Sequence, residues 1–163
     1  MEKLWAPWRI EYILNADKSG ECIFCNALEG NSKDNHIIII RDTCFALLNK
    51  YPYNSGHLMV APKKHTDDLA LLSRDELADM MELTRDCKQL LTSVMNPHGF
   101  NIGINLGRVA GAGILDHIHI HIVPRWNGDT NFMPVIGDTK VLPQSLYDTG
   151  IVLKKKAQEL SLD

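Results

Sequence analysis

The chain has 163 residues, a formal net charge of −3 at pH 7, and hydrophobic side chains at 45% of its positions. This length fits a single domain that buries its own core, and the slightly acidic balance excludes binding of nucleic acid through a basic surface. No apolar stretch is long enough to span a membrane and none resembles a secretory signal, so we expect a soluble, cytoplasmic protein.

The first candidate site in chain order is a pair of cysteines that follows a predicted N-terminal arm, residues 1–20. Cys22 and Cys25 form a C-x-x-C pair. The chain has only four cysteines, unevenly spaced, which does not fit a secreted disulfide scaffold. The pair therefore indicates either a metal site or a redox pair, with two inert buried thiols as the third possibility.

The middle of the chain alternates between short apolar runs and turns. We predict strands at residues 36–40, 44–49, 56–62 and 100–106. Between the last two, Ser73 and Glu76 have the spacing of a capping box, and apolar residues, Met80 and Met81 among them as core residues, recur at helical spacing. This pattern predicts one long helix over residues 74–95, ended by Asn96 and Pro97.

The most informative stretch is His117 to Val123, in which histidine and apolar residues alternate. This period of two predicts a strand with the isoleucines on one face and His117, His119 and His121 on the other. A glycine-rich loop, residues 107–116, leads into it. Because a strand and not a helix follows, the loop does not fit a dinucleotide fold, but its backbone amides and Asn105 could bind phosphate; a merely mobile loop is the alternative.

These elements predict an α+β protein. Most connections are too short for parallel crossovers, so the strands form an antiparallel sheet with helices on one face. A final helix is predicted near residues 144–160. The whole chain, 1–163, is then a single domain with the arm at one end and a C-terminal extension, residues 127–163, at the other.

The three histidines suggest a chemistry. Neutral imidazole is a competent nucleophile, and its attack on phosphorus forms a phosphoramidate that a second acceptor can cleave. His119 is the best candidate, because it has a histidine on either side to orient it or to contact the phosphate oxygens.

The stretch from His117 to Val123 matches the His-φ-His-φ-His-φ-φ motif (φ, hydrophobic) of the histidine-triad (HIT) family of nucleotide hydrolases and transferases. Phe45 to Asn49, Gly56 to Pro62 and Ala110 to Gly113 are also similar to that family, so the resemblance spans about residues 21–128. It implies a five-stranded antiparallel sheet per subunit, a homodimer with the sheet continued across the two-fold axis, and attack on the α-phosphorus of a nucleotide.

The resemblance also implies roles for individual residues. His119 would carry the nucleotidyl group, His121 would serve the phosphate and the leaving group, and His57 would support them. Asn49 would contact the ribose, and the phosphates would lie against Asn105, Gly111 and Gly113.

A structural zinc site is the expected role of the cysteine pair. A C-x-x-C pair is often completed by two histidines, and by resemblance to zinc-containing relatives these are His65 and His117. The four predicted ligands are Cys22, Cys25, His65 and His117.

Within the family, the N-terminal Trp5 to Arg9 and the segment from Val123 to Phe132 resemble bacterial diadenosine tetraphosphate phosphorylase-like members. Counting back from the triad, Leu106 stands where fragile-histidine-triad hydrolases have a glutamine. This difference argues against hydrolysis in the manner of that branch and favours transfer to phosphate or another nucleotidyl-transfer reaction, while the motif alone does not separate water from phosphate as the acceptor. We therefore predict a nucleotidyl transferase or hydrolase that acts on dinucleoside polyphosphates or related conjugates, with adenine nucleotides as substrates. The alternative is a nucleotide-binding interaction module with little turnover. Trp126 and Lys140 are further candidates for contact with a base or a distal phosphate.

Overall fold

The computed structural model describes residues 22–30, 36–130, 142 and 144–162. The predicted N-terminal arm and, within the C-terminal extension, residues 131–141 with Lys140 among them, 143 and 163 lie outside these residues. The strands are β1 (Ile37–Ile40), β2 (Cys44–Leu48), β3 (Leu58–Pro62), β4 (Gly99–Ile104) and β5 (Ile120–Arg125). The helices are α1 (Ile23–Leu28), α2 (Arg74–Met95) and α3 (Leu146–Glu159), and short 3-10 turns cover Leu69–Leu71 and Arg108–Ala110.

The five strands form one sheet in the order β1-β2-β3-β5-β4. Every neighbouring pair is antiparallel. The predicted α+β class, the five-stranded antiparallel sheet, the long helix and the C-terminal helix are all confirmed. In this order β4 lies at one edge of the sheet and β5, the strand of the histidines, lies beside it.

Helix α2 begins and ends where its sequence signals predict. The Ser73 side chain accepts a hydrogen bond from the Glu76 amide and the Glu76 side chain accepts one from the Ser73 amide, which completes the capping box. At the other end Asn96 adopts the left-handed conformation that closes many helices. Met80 is buried as predicted, but the prediction that Met81 is a core residue is wrong, because its side chain is 60% exposed. Met81 follows Met80 directly, so the two side chains point about 100° apart around the helix axis, and the buried stripe of α2 includes only Met80.

An ion network joins α2 to the β1–β2 hairpin. Arg41, in the turn of the hairpin, contacts both Asp79 and Asp86 of α2. Thr43 donates a hydrogen bond to Asp79 as well. These contacts lie on the face of the sheet that α2 covers and hold the helix to the hairpin by charge-assisted hydrogen bonds.

The histidine stretch differs from its prediction in one respect. The strand begins at Ile120 and runs to Arg125, whereas residues 117–123 were predicted. Pairing of β5 with β3 ends at the Val60–Ile120 pair, so His117 and His119 precede the strand. The alternation of faces still holds, because Ile118, Ile120 and Ile122 all join the core that α2 covers. The histidines therefore lie on the opposite face.

Within the described part of the chain, no helix has both the length and the apolar character needed to cross a membrane.

Candidate active site and metal centre

A hydrogen bond fixes which ring nitrogen of His119 keeps its lone pair. The Nδ1 atom of His119 lies 2.9 Å from the carbonyl oxygen of His117. A carbonyl only accepts, so Nδ1 carries the proton and donates it, and Nε2 of the neutral ring keeps its lone pair. This is the protonation state that attack on phosphorus requires.

Burial keeps His119 neutral. The residue is 4% exposed, and desolvation lowers its pKa below the usual range, although the hydrogen bond to His117 opposes the shift. The ring of Phe24 packs against it, with 4.9 Å between the ring centroids. Phe24 lies in α1 between the two cysteines, so the C-x-x-C segment forms a wall of the site.

His57 and His121 form a hydrogen-bonded pair next to His119. His57 precedes β3 and His121 lies in β5, and the Nε2 atom of His57 is 3.0 Å from Nδ1 of His121. The ring of His121 lies edge-on to that of His119, with centroids 4.7 Å apart. Thus the structure brings together all three residues predicted to be catalytic.

Asn49 joins the same group through His57. The Oδ1 atom of Asn49 accepts a hydrogen bond of 2.8 Å from the Tyr51 amide, which orients the side chain. Its Nδ2 atom is then directed at Nδ1 of His57, 3.4 Å away. The contact of Asn49 with a ribose remains a prediction.

The glycine-rich loop is a folded turn. Gly107 and Gly111 both have positive φ values, +79° and +87°, and the Asn105 side chain donates to the Gly111 carbonyl at 3.3 Å. The amides of Ala110 and Gly111, and that of Ala112, bond to carbonyls of the same loop. Phosphate binding by Asn105, Gly111 and Gly113 remains a prediction.

The four predicted metal ligands form a cluster. One ligand atom from each of Cys22, Cys25, His65 and His117 lies within 4.8 Å of all the others. The Sγ atoms of Cys22 and Cys25 are 3.2 and 3.7 Å from Nδ1 of His117, and Cys25 Sγ is 3.4 Å from Nδ1 of His65. The donor set of two thiols and two imidazoles is one that zinc prefers.

A second contact orients the His117 ring toward the cysteines. Its Nε2 atom lies 2.8 Å from the Pro62 carbonyl, so Nε2 donates and Nδ1 is left with its lone pair toward the cysteines. Burial lowers the pKa of His117 and so favours the neutral ring. Burial and the neighbouring Cys22 raise the pKa of Cys25 to about 11, an effect that a bound cation offsets by stabilising the thiolate.

Three residues next to the site were missed by the sequence analysis. The position of Phe24 between the two cysteines could have indicated that it lies near the site. The sequence around Tyr53 and Asn54 indicates a loop and nothing more. Tyr53 stacks on His57, with 4.8 Å between ring centroids, and Asn54 is buried and bonds to the end of β5.

Comparison with known proteins identifies the family and its fold. A family model of the HIT domain matches residues 31–128. The chain belongs to the HIT family. Two sequences named AP-4-A phosphorylase, from two strains of Mycobacterium tuberculosis, are each 38% identical to this HIT protein over 91% of its length and 80% of theirs.

Further relatives agree with this membership. The adenosine 5'-monophosphoramidase hnt1 of Schizosaccharomyces pombe is 32% identical over 65% of the chain and 75% of its own length. A zinc-bound histidine triad family protein from Mycobacterium smegmatis has a similar structure, with a TM-score of 0.70, 26% identity, and coverage of 87% of this chain and 96% of that one. These findings confirm the predicted family and support the predicted class, a nucleotide-processing enzyme.

Proposed function

We propose that this HIT protein is a cytoplasmic nucleotidyl transferase or hydrolase that cleaves dinucleoside polyphosphates at an α-phosphorus, with adenine nucleotides as substrates. The observation that carries the proposal is the hydrogen bond from Nδ1 of His119 to the His117 carbonyl, which leaves the lone pair of the neutral ring on Nε2. The relatives named AP-4-A phosphorylase support diadenosine tetraphosphate as a substrate.

The reaction has two steps. In the first, Nε2 of His119 bonds to the α-phosphorus of diadenosine tetraphosphate, the bond from that phosphorus to its bridging oxygen breaks, and ATP leaves. In the second, an oxygen of inorganic phosphate or water attacks the same phosphorus, the bond to Nε2 breaks and its electron pair returns to the neutral ring, and ADP or AMP is released. When water is the acceptor, one of its protons passes to solvent. His121 hydrogen-bonds the leaving oxygen, His57 orients His121, Asn49 binds the ribose, and Asn105, Gly111 and Gly113 bind the phosphates.

Cys22, Cys25, His65 and His117 would hold a structural zinc ion. Their donor atoms and the preset Nδ1 lone pair of His117 fit a tetrahedral site. When bound, the ion would cross-link three segments of the chain and would take no part in the reaction. It joins α1, the residues after β3, and the segment that carries His119.

A homodimer is proposed through β4. This strand is one of the two edges of the sheet and lies beside β5, and its Ile102 side chain is 48% exposed. An edge strand with an exposed apolar residue is a template for pairing with a second chain.

The test of the reaction is incubation of the protein with diadenosine tetraphosphate, with and without inorganic phosphate. ADP plus ATP, formed only with phosphate, identifies phosphorolysis, and AMP plus ATP identifies hydrolysis. No turnover by the wild type would contradict the proposal and favour an interaction module that binds nucleotide without processing it.

The covalent step is tested by His119→Asn. We expect this variant to bind nucleotide with an affinity near that of the wild type and to lose turnover, because the amide replaces the ring without a comparable nucleophile. Appreciable residual turnover would refute the role of His119.

A further inference from the structure

The hydrogen bond between His57 and His121 has only one direction that its surroundings allow. The amide of Tyr53 donates to Nδ1 of His57 at 3.1 Å, and the Asn49 amide group is directed at the same nitrogen. A backbone N–H can only donate, so Nδ1 of His57 carries no proton and the proton of the neutral ring is on Nε2. His57 therefore donates to Nδ1 of His121, and the neutral His121 ring carries its proton on Nε2.

The direction of this hydrogen bond depends on the position of the loop that precedes β3, residues 49–57, because that loop carries the Tyr53 amide. Two backbone bonds close the loop locally, from His57 N to Asn54 O at 3.2 Å and from Asn49 N to His57 O at 2.9 Å. The side chain of Asn54 is its buried anchor, 8% exposed. Its Nδ2 atom donates to the Pro124 carbonyl of β5 at 3.1 Å and to Oδ2 of Asp129 at 2.8 Å.

Asp129 is itself fixed by several donors. The Arg125 guanidinium binds both of its oxygens, at 2.6 and 3.1 Å, and the Trp126 amide donates to Oδ2 at 3.2 Å. Arg125 in turn donates to Asn101 of β4 at 2.8 Å. These bonds lower the pKa of Asp129 to about 2, with Arg125 as the largest cause, so the carboxylate is charged at neutral pH.

We propose that Asn54 and Asp129 are positioning residues that lock the His57–His121 pair in one hydrogen-bond direction, with Nε2–H of His121 as a donor to the leaving phosphate. The proposal rests on the function proposed above and adds to it the residues that set this donor. The clamp, defined as Asn54 and Asp129, holds the loop to the end of β5. The loop then places the Tyr53 amide on His57.

The locked pair suits one class of leaving group. Neutral His121 has a single ring proton, so it can hydrogen-bond an oxygen but cannot give that proton away without becoming an anion. A terminal phosphate ionises for the second time near pH 6 and so departs as an anion near neutral pH. A phosphate or polyphosphate therefore needs only the hydrogen bond that this pair offers.

Nitrogen-15 NMR of the histidine rings tests the proposal directly, because protonated and unprotonated ring nitrogens differ in shift. At about pH 8, where imidazoles are neutral, the substrate-free wild type should show His57 and His121 each with the proton on Nε2 only. In Asn54→Ala the loop loses the two side-chain bonds to Pro124 and Asp129, and we expect a second tautomer of both rings. The kcat for diadenosine tetraphosphate should fall roughly 10- to 100-fold through misplacement of the donor, with KM changed less than about threefold.

Two further variants separate positioning from stability. Asp129→Asn keeps the shape of the side chain but removes its charge. It should shift the tautomers of His57 and His121 in the same direction as Asn54→Ala. This variant also tests the proposal if Asn54→Ala does not fold. Asp79→Asn weakens a carboxylate–arginine contact on the opposite face of the sheet, and should leave both the tautomers and kcat as in the wild type.

The inference is overturned if wild-type His57 carries its proton on Nδ1. It is equally overturned if both clamp variants fold with wild-type tautomers, even if they are less stable, because the clamp would then be structural only. The spectra need no substrate, so they decide the inference independently of turnover. Failure of the wild type to process any nucleotide would instead contradict the proposed function.

Discussion

At the scale of single residues, Phe24 links the candidate metal centre to the candidate nucleophile. Its ring is fully buried and contacts the rings of both His117 and His119. Because α1 begins at the residue after Cys22, the position of this ring is set by the same segment that supplies two metal ligands. Sequence reasoning finds the cysteines by their spacing, but it cannot show that the residue between them packs on a histidine about 95 positions later.

Phe24→Ala should therefore affect both stability and turnover. Truncation of a fully buried phenylalanine costs about 3–5 kcal/mol of unfolding free energy, and the cavity would free the His119 ring to turn. Urea denaturation and kcat of the same preparations measure the two effects. Phe24→Leu, which refills most of the space, should recover much of each; an alanine variant with wild-type kcat would show that the ring does not position His119.

The carboxyl group of Asp129 predicts a component of acid sensitivity. Its pKa falls from 3.8 to about 2 in the folded state, so it stabilises the fold above about pH 4 and loses this contribution as the pH falls from 4 toward 2. Asp129→Asn should flatten the dependence of unfolding free energy on pH within that window, as measured by urea denaturation at each pH. An unchanged slope would contradict the lowered pKa of Asp129 in the folded state.

At the scale of elements, the fold was predictable where local signals and burial agree. The capping box, the apolar stripe and Asn96 define α2 from sequence alone, and the hairpin is visible because Arg41 to Thr43 separates two apolar runs. The start of β5 was not predictable. Alternation extends back to His117, but the pairing with β3 stops at Ile120, and only the tertiary partner of a strand decides where its ladder ends.

The contact between α2 and the hairpin gives a prediction at this scale. Asp86 is buried and is paired with Arg41, so Arg41→Met leaves a buried carboxylate without its main partner. We expect a loss of about 3 kcal/mol in unfolding free energy with little change in kcat, since the network lies on the face away from the histidines. Thr43→Ala, which removes only a neutral donor to Asp79, serves as the matched control and should cost about 1 kcal/mol.

At the scale of the whole molecule, the four proposed zinc ligands connect parts of the chain that are far apart in sequence. Cys22→Ser should lower zinc content and the thermal midpoint more than it lowers nucleotide affinity, because the ion joins segments and does not touch the substrate. Elemental analysis, thermal unfolding and nucleotide titration make the comparison. A metal-free wild type with full activity would contradict the proposed zinc site.

The exposed edge strand β4 predicts that the protein is a homodimer. Ile102→Lys places a charge on the exposed side chain of β4, so it should shift the proposed dimer toward a species of the chain mass, 18.4 kDa. Sedimentation velocity distinguishes the two masses. A wild type that sediments as a single chain at high concentration would exclude this interface.

The end of the β3–β5 ladder has a consequence for local opening. His119 stands one residue beyond the last paired position, and the next contact holding this segment is the bond of 2.7 Å from the Ile118 amide to the Thr66 carbonyl. Unpaired strand ends open more readily than the strand centre, so the Ile118 amide should exchange with solvent faster than that of Ile122. His65 and His117 each lie next to one end of this bond. If a zinc ion binds both, removing it with a chelator should speed exchange of the Ile118 amide more than exchange of the Ile122 amide. The candidate nucleophile would then belong to a segment, just before β5, whose opening the metal controls.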